Sequence, residues 1–189
     1  MNYYYLVATL PELSFDTPPE MSVEDFLILC EEHLSARDYK VMTELLESTP
    51  DTTGGSGFAK AWREKETQLR NAIVKIRASK QQKDAAPFLK ETHTVETAAS
   101  KAADEAFLKK SPLDRELALD HFRWQQIEEL AGLDPFNTKA VLAYGLKFKL
   151  ATRWGDMGRE QGEKKAEELL NKKPGNEPDE NKKTHTEQS

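Results

Sequence analysis

The chain carries the same helix-start signal three times: Ser22 followed by Asp25, Ser35 followed by Asp38, and Ser111 followed by Asp114. A serine just before a helix accepts a bond from a backbone amide of the first turn. An acid at the third helical position suits the positive end of the helix dipole. The first two signals are reinforced by apolar pairs at hydrophobic-staple spacing, Met21 with Phe26 and Leu34 with Tyr39. The third is reinforced by Pro112 at the first helical position. They predict two short helices over 23–34 and 36–48, closed by Pro50, and a longer one from 112 that Gly132 ends.

Other segments are read from periodicity. DTTGGSG, residues 51–57, is a loop by composition, and it lacks the Gly-Lys-Ser/Thr ending of a phosphate-binding loop. A long helix is predicted from about 58 to 83, with Trp62, Leu69, Ile73 and Ile76 in one sector. Arg63, Arg70 and Arg77 repeat at heptad spacing on its shoulder, either as a solvated flank whose stems cover the core or as a contact for an acidic partner surface. Residues 84–110 are rich in Ala, Lys and Thr, which leaves a weak helix over 94–108 or a mobile connector. On the helix after 112, Leu117, His121, Trp124, Ile127 and Ala131 are expected to line one face. A further helix over 135–154 carries Leu142, Leu146, Leu150 and Trp154 at four-residue steps, and a charged helix over 159–171 follows Gly158. The expected organisation is a helical domain over 1–170 and a disordered tail over 171–189.

The opening MNYYYLVATL is the one stretch where strand propensity competes. A strand there finds no partner strand elsewhere, so helix is the better reading. The whole is therefore expected to be an all-α, compact multi-helix bundle. The apolar run follows only Met-Asn and meets Pro11 without a small-residue cleavage site, so it is not read as a signal peptide. No apolar stretch is long enough for a membrane span, and a single cysteine, Cys30, sits among Phe26, Leu27, Ile28 and Leu29 as a small buried hydrophobe. A cytoplasmic location is expected.

Charge is segregated: residues 1–50 hold 10 acidic and 2 basic side chains, whereas 58–110 hold 12 basic and 7 acidic, within a net charge of −6. The two regions attract one another or separate partners. Trp62 is the only aromatic in the basic stretch 60–83, so nucleic-acid binding is not expected. Nothing points to a cofactor or metal: His33, His93, His121 and His185 are too dispersed for a ligand spacing. His121 is read as a core histidine held by a neighbouring carbonyl or carboxylate. No nucleophile motif occurs. Asp114, Glu116 and Asp120 would support acid/base chemistry only if gathered in a pocket, a weak hydrolase alternative to a non-enzymatic helical protein.

The opening run MNYYYLVATLPELSFDTPPEMSVEDFLILCEEHLSARDY resembles a bacterial family with a Tyr-Tyr-Leu-Val-Ala-x-Leu-Pro-x-Leu signature, typically encoded among V/A-type ATP synthase subunits. LDRELALDHFRWQQIEELAGLDPFNTKAVLAYGLKFKLATRW looks like that family's C-terminal helical pair. That family in turn looks like a counterpart of the C-type stalk component of these enzymes, known as the d-type component in eukaryotic V-ATPases. This is an all-helical funnel on the membrane rotor ring that receives the central shaft. Tyr3 to Tyr5, and Glu66 to Asn71 in EKETQLRNAIVKIR, are similar to the funnel's sequence pattern. The resemblance implies a non-catalytic structural subunit related to part of the funnel, peripheral to the inner membrane and touching it only through the complex. Its partners would be the central shaft and the rotor ring. Tyr3, Tyr4, Tyr5, Arg63, Arg70 and Arg77 are the candidate contacts. A regulatory or assembly adaptor of the same ATPase is the alternative.

Overall fold

The computed structural model describes residues 3–15, 17–47, 57–94 and 97–171, with 158–171 as backbone only. Within them lie seven α-helices: α1 (Tyr4–Thr9), α2 (Val23–His33), α3 (Ala36–Glu47), α4 (Gly57–Lys80), α5 (Thr97–Phe107), α6 (Pro112–Ala131) and α7 (Thr138–Asn171). A 3-10 turn spans Ala86–Phe88, and no strand occurs among the described residues. The fold is all-α, as expected. Met1–Asp156 forms one compact unit and Met157–Ser189 a second. The cores and the cavity described below belong to the first. The predicted loop before Gly57 and the predicted tail after Asn171 lie outside the described residues.

All three serine signals act as caps. Ser22 Oγ accepts from Asp25 N at 3.0 Å and donates to Asp25 Oδ2 at 2.8 Å, a reciprocal closure of the first turn. Ser35 Oγ accepts from Asp38 N, and Ser111 Oγ from the amides of Leu113 and Asp114. Gly132, with φ of +75°, ends α6 in a conformation that a β-carbon disfavours. The opening forms helix α1 with no sheet to join.

Two hydrophobic cores result. The first gathers Leu6, Phe26, Cys30, Met42, Leu146 and Phe148, with Phe58 of α4 and Ile127 of α6. Phe26 and Phe148 stack there at 4.7 Å. α7 approaches α3 so closely that a β-carbon at Gly145 would overlap Met42 Sδ. The second core joins Leu69, Ala72 and Ile73 of α4 to Leu119 of α6 and to Ala99, Ala103 and Ala106 of α5. Of the two alternatives for 84–110, a helix therefore forms. Its alanines at i, i+4 and i+7 let α5 lie close against α4 and α6 without a large side chain.

Four expectations are corrected. α4 ends at Lys80, not 83, because Gln82 takes φ of +53° and Lys83 N turns back to the Ala78 carbonyl at 2.9 Å. α7 begins at Thr138, not 135, where Asn137 Oδ1 accepts from Ala140 N at 3.0 Å. It continues through Gly155 and Gly158 to Asn171, so 135–154 and 159–171 are one helix. A glycine weakens a helix by about 1 kcal/mol, which flanking helix formers offset.

The fourth concerns α6, whose buried residues are Leu119, Asp120, Gln126 and Ile127, a face rotated from the expected one. His121 is exposed rather than a core histidine. It stacks on Phe15 at 4.0 Å, and Trp124 meets the same ring edge-on at 5.4 Å. The apolar stripe of α6 thus has its own cover, the segment between α1 and α2. A Cβ at Gly155 would lie 2.6 Å from Pro18 Cβ, which marks how closely that segment crosses α7.

Candidate functional site

Glu66, midway along α4, and Asp120 and Arg123, one turn apart on α6, lie between the two cores. Arg123 grips Glu66 at two points, Nε to Oε2 at 2.9 Å and Nη2 to Oε1 at 3.1 Å. Its Nη1 reaches Asp120 Oδ1 at 2.6 Å. Arg70 adds Nε to Glu66 Oε1 at 2.8 Å. From α7, Arg153 Nη1 donates to Asp120 Oδ2 at 3.1 Å and Trp154 Nε1 donates to the same oxygen at 2.9 Å. Asp120 is completely buried. Bidentate guanidinium–carboxylate geometry offsets the cost of taking both charges out of water.

The acidities follow from this geometry. Burial by itself would raise the Glu66 carboxyl, but the charge and hydrogen bonds of Arg123, then those of Arg70, outweigh it and hold the group below the usual carboxylate range. Burial likewise works to lower the Arg123 guanidinium, and Glu66 and Asp120 overcome it and raise it above its ordinary value. The cluster is charged, and its charges are mutually satisfied.

The network forms one wall of a cavity of about 330 Å³ between α3, α4, α6 and α7. Its apolar surface comes from Leu45, Trp62, Ile127, Leu146 and Leu150. Lys149 also lines the cavity, and its ammonium donates to the carbonyls of Leu46 at 2.6 Å and Leu45 at 3.4 Å near the end of α3. Those acceptors are neutral, and burial lowers the Lys149 pKa. Among the described residues no group of three or more His, Cys, Asp or Glu is arranged to hold a metal ion.

The sequence-derived candidates do not form one surface. Arg63 and Arg70 line the cavity, whereas Arg77 lies by the Phe107 ring, 6.0 Å from its centroid, at the far core. Tyr3 is buried: its hydroxyl donates to Asp38 Oδ2 at 2.6 Å and accepts from Ser35 N at 3.2 Å. Tyr4 and Tyr5 face outward, 58% and 69% exposed, against Phe136 and His33. Of the three candidate acids Asp114, Glu116 and Asp120, the last two line the cavity and Asp114 does not. Sequence reasoning missed Arg123, Lys149 and Arg153. The available signal was Glu66, an acid on the apolar side of an amphipathic helix, which needs a cation from another element.

The fold and site define an all-helical protein whose two cores are joined by a buried ion-pair network opening on a cavity. The model of the family described as Protein of unknown function (DUF2764) matches residues 1–53 and 105–174, more than half of the chain, and the chain belongs to that family. The match takes in α3, α6 and α7 of the cavity wall and leaves out α4. No curated protein and no solved structure matches the chain.

Proposed function

We propose that this chain is a non-catalytic subunit of a V/A-type rotary ATPase, the counterpart of its C-type stalk component, coupling the central shaft to the membrane rotor ring. The resemblance of the opening run supplies the identity of the complex. The observation that carries the mechanical reading is the split of the three tyrosines. Tyr3 is pinned by Asp38 and Ser35, and its amide donates to the Phe136 carbonyl at 2.7 Å, so α1 is held at its root. Tyr4 and Tyr5 on the next two positions are thereby presented outward as stiff aromatic surfaces with polar tips, a composition favoured at protein–protein interfaces.

The same geometry argues against acid/base work at the cavity. Both Asp120 oxygens accept from Arg123, Arg153 and Trp154, and Glu66 is held ionised by two guanidiniums. A carboxylate held ionised, as Glu66 is, makes a poor proton donor or acceptor near neutral pH. No described helix is long and apolar enough to cross a membrane. Contact with the membrane would come through the complex.

The test is purification of the ATPase from native membranes through a tag on one of its other components. The expected result is this chain at one copy per rotor in the working enzyme. An intact, turning motor that lacks it overturns the proposal, and its presence in assembly intermediates alone makes it an adaptor instead.

A further inference from the structure

We infer that the cavity between α3, α4, α6 and α7 is a binding site for a small organic anion with an apolar body. Its volume of about 330 Å³ falls within the range of small-molecule pockets. A wall of Trp62, Leu146, Leu150 and Ile127 suits a ring or short hydrocarbon better than it suits water.

The sign of the ligand's charge follows from which polar groups are already engaged. Five cations line the cavity, Arg63, Arg70, Arg123, Lys149 and Arg153, against four carboxylates. The two buried carboxylates are each already engaged on both oxygens. Glu66 accepts three bonds from Arg70 and Arg123, and Asp120 accepts three from Arg123, Arg153 and Trp154. At the two buried carboxylates a cationic ligand therefore meets guanidinium where it needs an acceptor, and Glu116 lies 3.9 Å from Arg153, which leaves Glu44 as the one lining carboxylate outside these ion pairs. Donors, in contrast, remain. Arg70 uses only Nε on Glu66, which leaves both terminal nitrogens for a ligand, and its side chain is 51% exposed. Lys149 is satisfied by carbonyl dipoles and has no carboxylate partner among the described residues, so its charge stands uncompensated beside the apolar wall. Such a cation next to a pocket favours an anion there.

Carboxylate, phosphate and sulfonate headgroups share this chemistry, and the apolar wall requires a body attached to them. The inference is independent of the proposed role in the ATPase, because a stalk component and a free-standing protein would carry the site alike.

The full chain is titrated with 8-anilinonaphthalene-1-sulfonate and, as an uncharged match, N-phenyl-1-naphthylamine, followed by fluorescence. Saturable binding of the sulfonate is expected, weakened about tenfold by Arg70→Gln and by Lys149→Gln, with the neutral dye unaffected. Lys149 also holds the end of α3, so thermal unfolding is recorded for both variants. If Lys149→Gln unfolds, Arg70→Gln, a half-exposed site, decides the matter alone. Equal affinity of the wild-type chain for both dyes, or sulfonate binding unchanged in Arg70→Gln, overturns the inference. Calorimetry with phenyl phosphate against benzoate then distinguishes the headgroup, and heat from neither at millimolar concentration also counts against it.

Discussion

Glu66→Gln is the sharpest test of the buried network. The substitution keeps shape and an acceptor oxygen but removes the charge that meets Arg70 and the Nε and Nη2 of Arg123. Glu66 and Arg123 side chains are only 9% and 16% exposed, so solvent screens the pair little. Removing one member of a buried pair costs about 3–5 kcal/mol, and retained amide bonds bring the expected loss to roughly 3 kcal/mol. For a chain of this length that is a fall of roughly 6–12 °C in Tm. The pH dependence supplies the second reading. The folded-state pKa of Glu66 lies below its ordinary value near 4.5, so its stabilisation is present above that pH and disappears as pH falls through the folded value. Glu66→Gln never has this contribution, and its stability declines less steeply on acidification below about pH 4.5. Differential scanning calorimetry from pH 7 to 3 measures both. A Tm drop under about 2 °C at pH 7, with parallel acid profiles, refutes the account of Glu66 as a paired buried charge.

Other substitutions address other joints. Tyr3→Phe removes one hydroxyl that serves Asp38 and Ser35, and chemical denaturation should register a loss of about 1–2 kcal/mol. Tyr5→Ala, at an exposed site, should stay within about 0.5 kcal/mol, and equal losses would show that the tyrosines are not divided between core and surface. Gly155→Ala drives a methyl to within 2.9 Å of the Pro18 backbone, so despite its helix propensity it should destabilise by about 1–3 kcal/mol. Pro18→Ala should fail to restore it, because the Cα stays in place. Burial pushes the Cys30 thiol up to about 12, so a thiol reagent at pH 8 should react only as the chain unfolds. Rapid labelling of the native protein would place Cys30 outside the core.

The helices were legible because their signals are local. Ser22, Ser35 and Ser111 each need only three residues to declare a start, and Leu142 and Leu146 declare a buried face within one turn. What was not legible depends on partners far along the chain. Asp120 read only as one of three acids near the start of a helix, yet it is buried because Arg153 and Trp154 arrive from another helix. His121 looked internal because Phe15, more than a hundred residues away, supplies the apolar neighbour that its stripe called for. The cavity was hidden for the same reason. Arg63 and Arg70 were visible as a heptad row, but their separation from Arg77 follows from the packing of α5 and α6.

The position of the network explains why a charged cluster persists where apolar residues would be as stable. α4 contributes Phe58 and Ala59 to the first core and Leu69 and Ile73 to the second, and α6 contributes Ile127 and Leu119 to the same two. Both contacts are apolar, and apolar contacts tolerate sliding. Glu66 and Arg123 do not, since a slip of one turn leaves two buried charges unpaired. The hypothesis is that the pair sets the register of α4 on α6 more than it adds stability, and Glu66→Met with Arg123→Met separates the two contributions. The double variant should recover only part of the Tm lost in Glu66→Gln, because the buried Asp120 Oδ1 loses its Arg123 donor. Amides across α4 and α6 should nevertheless exchange faster than in the wild type, because sub-global openings of that pair are no longer penalised by charge. Wild-type exchange rates in the double variant would mean that shape alone holds the register, and the rigidity required of a torque-transmitting part would then have to come from the apolar cores.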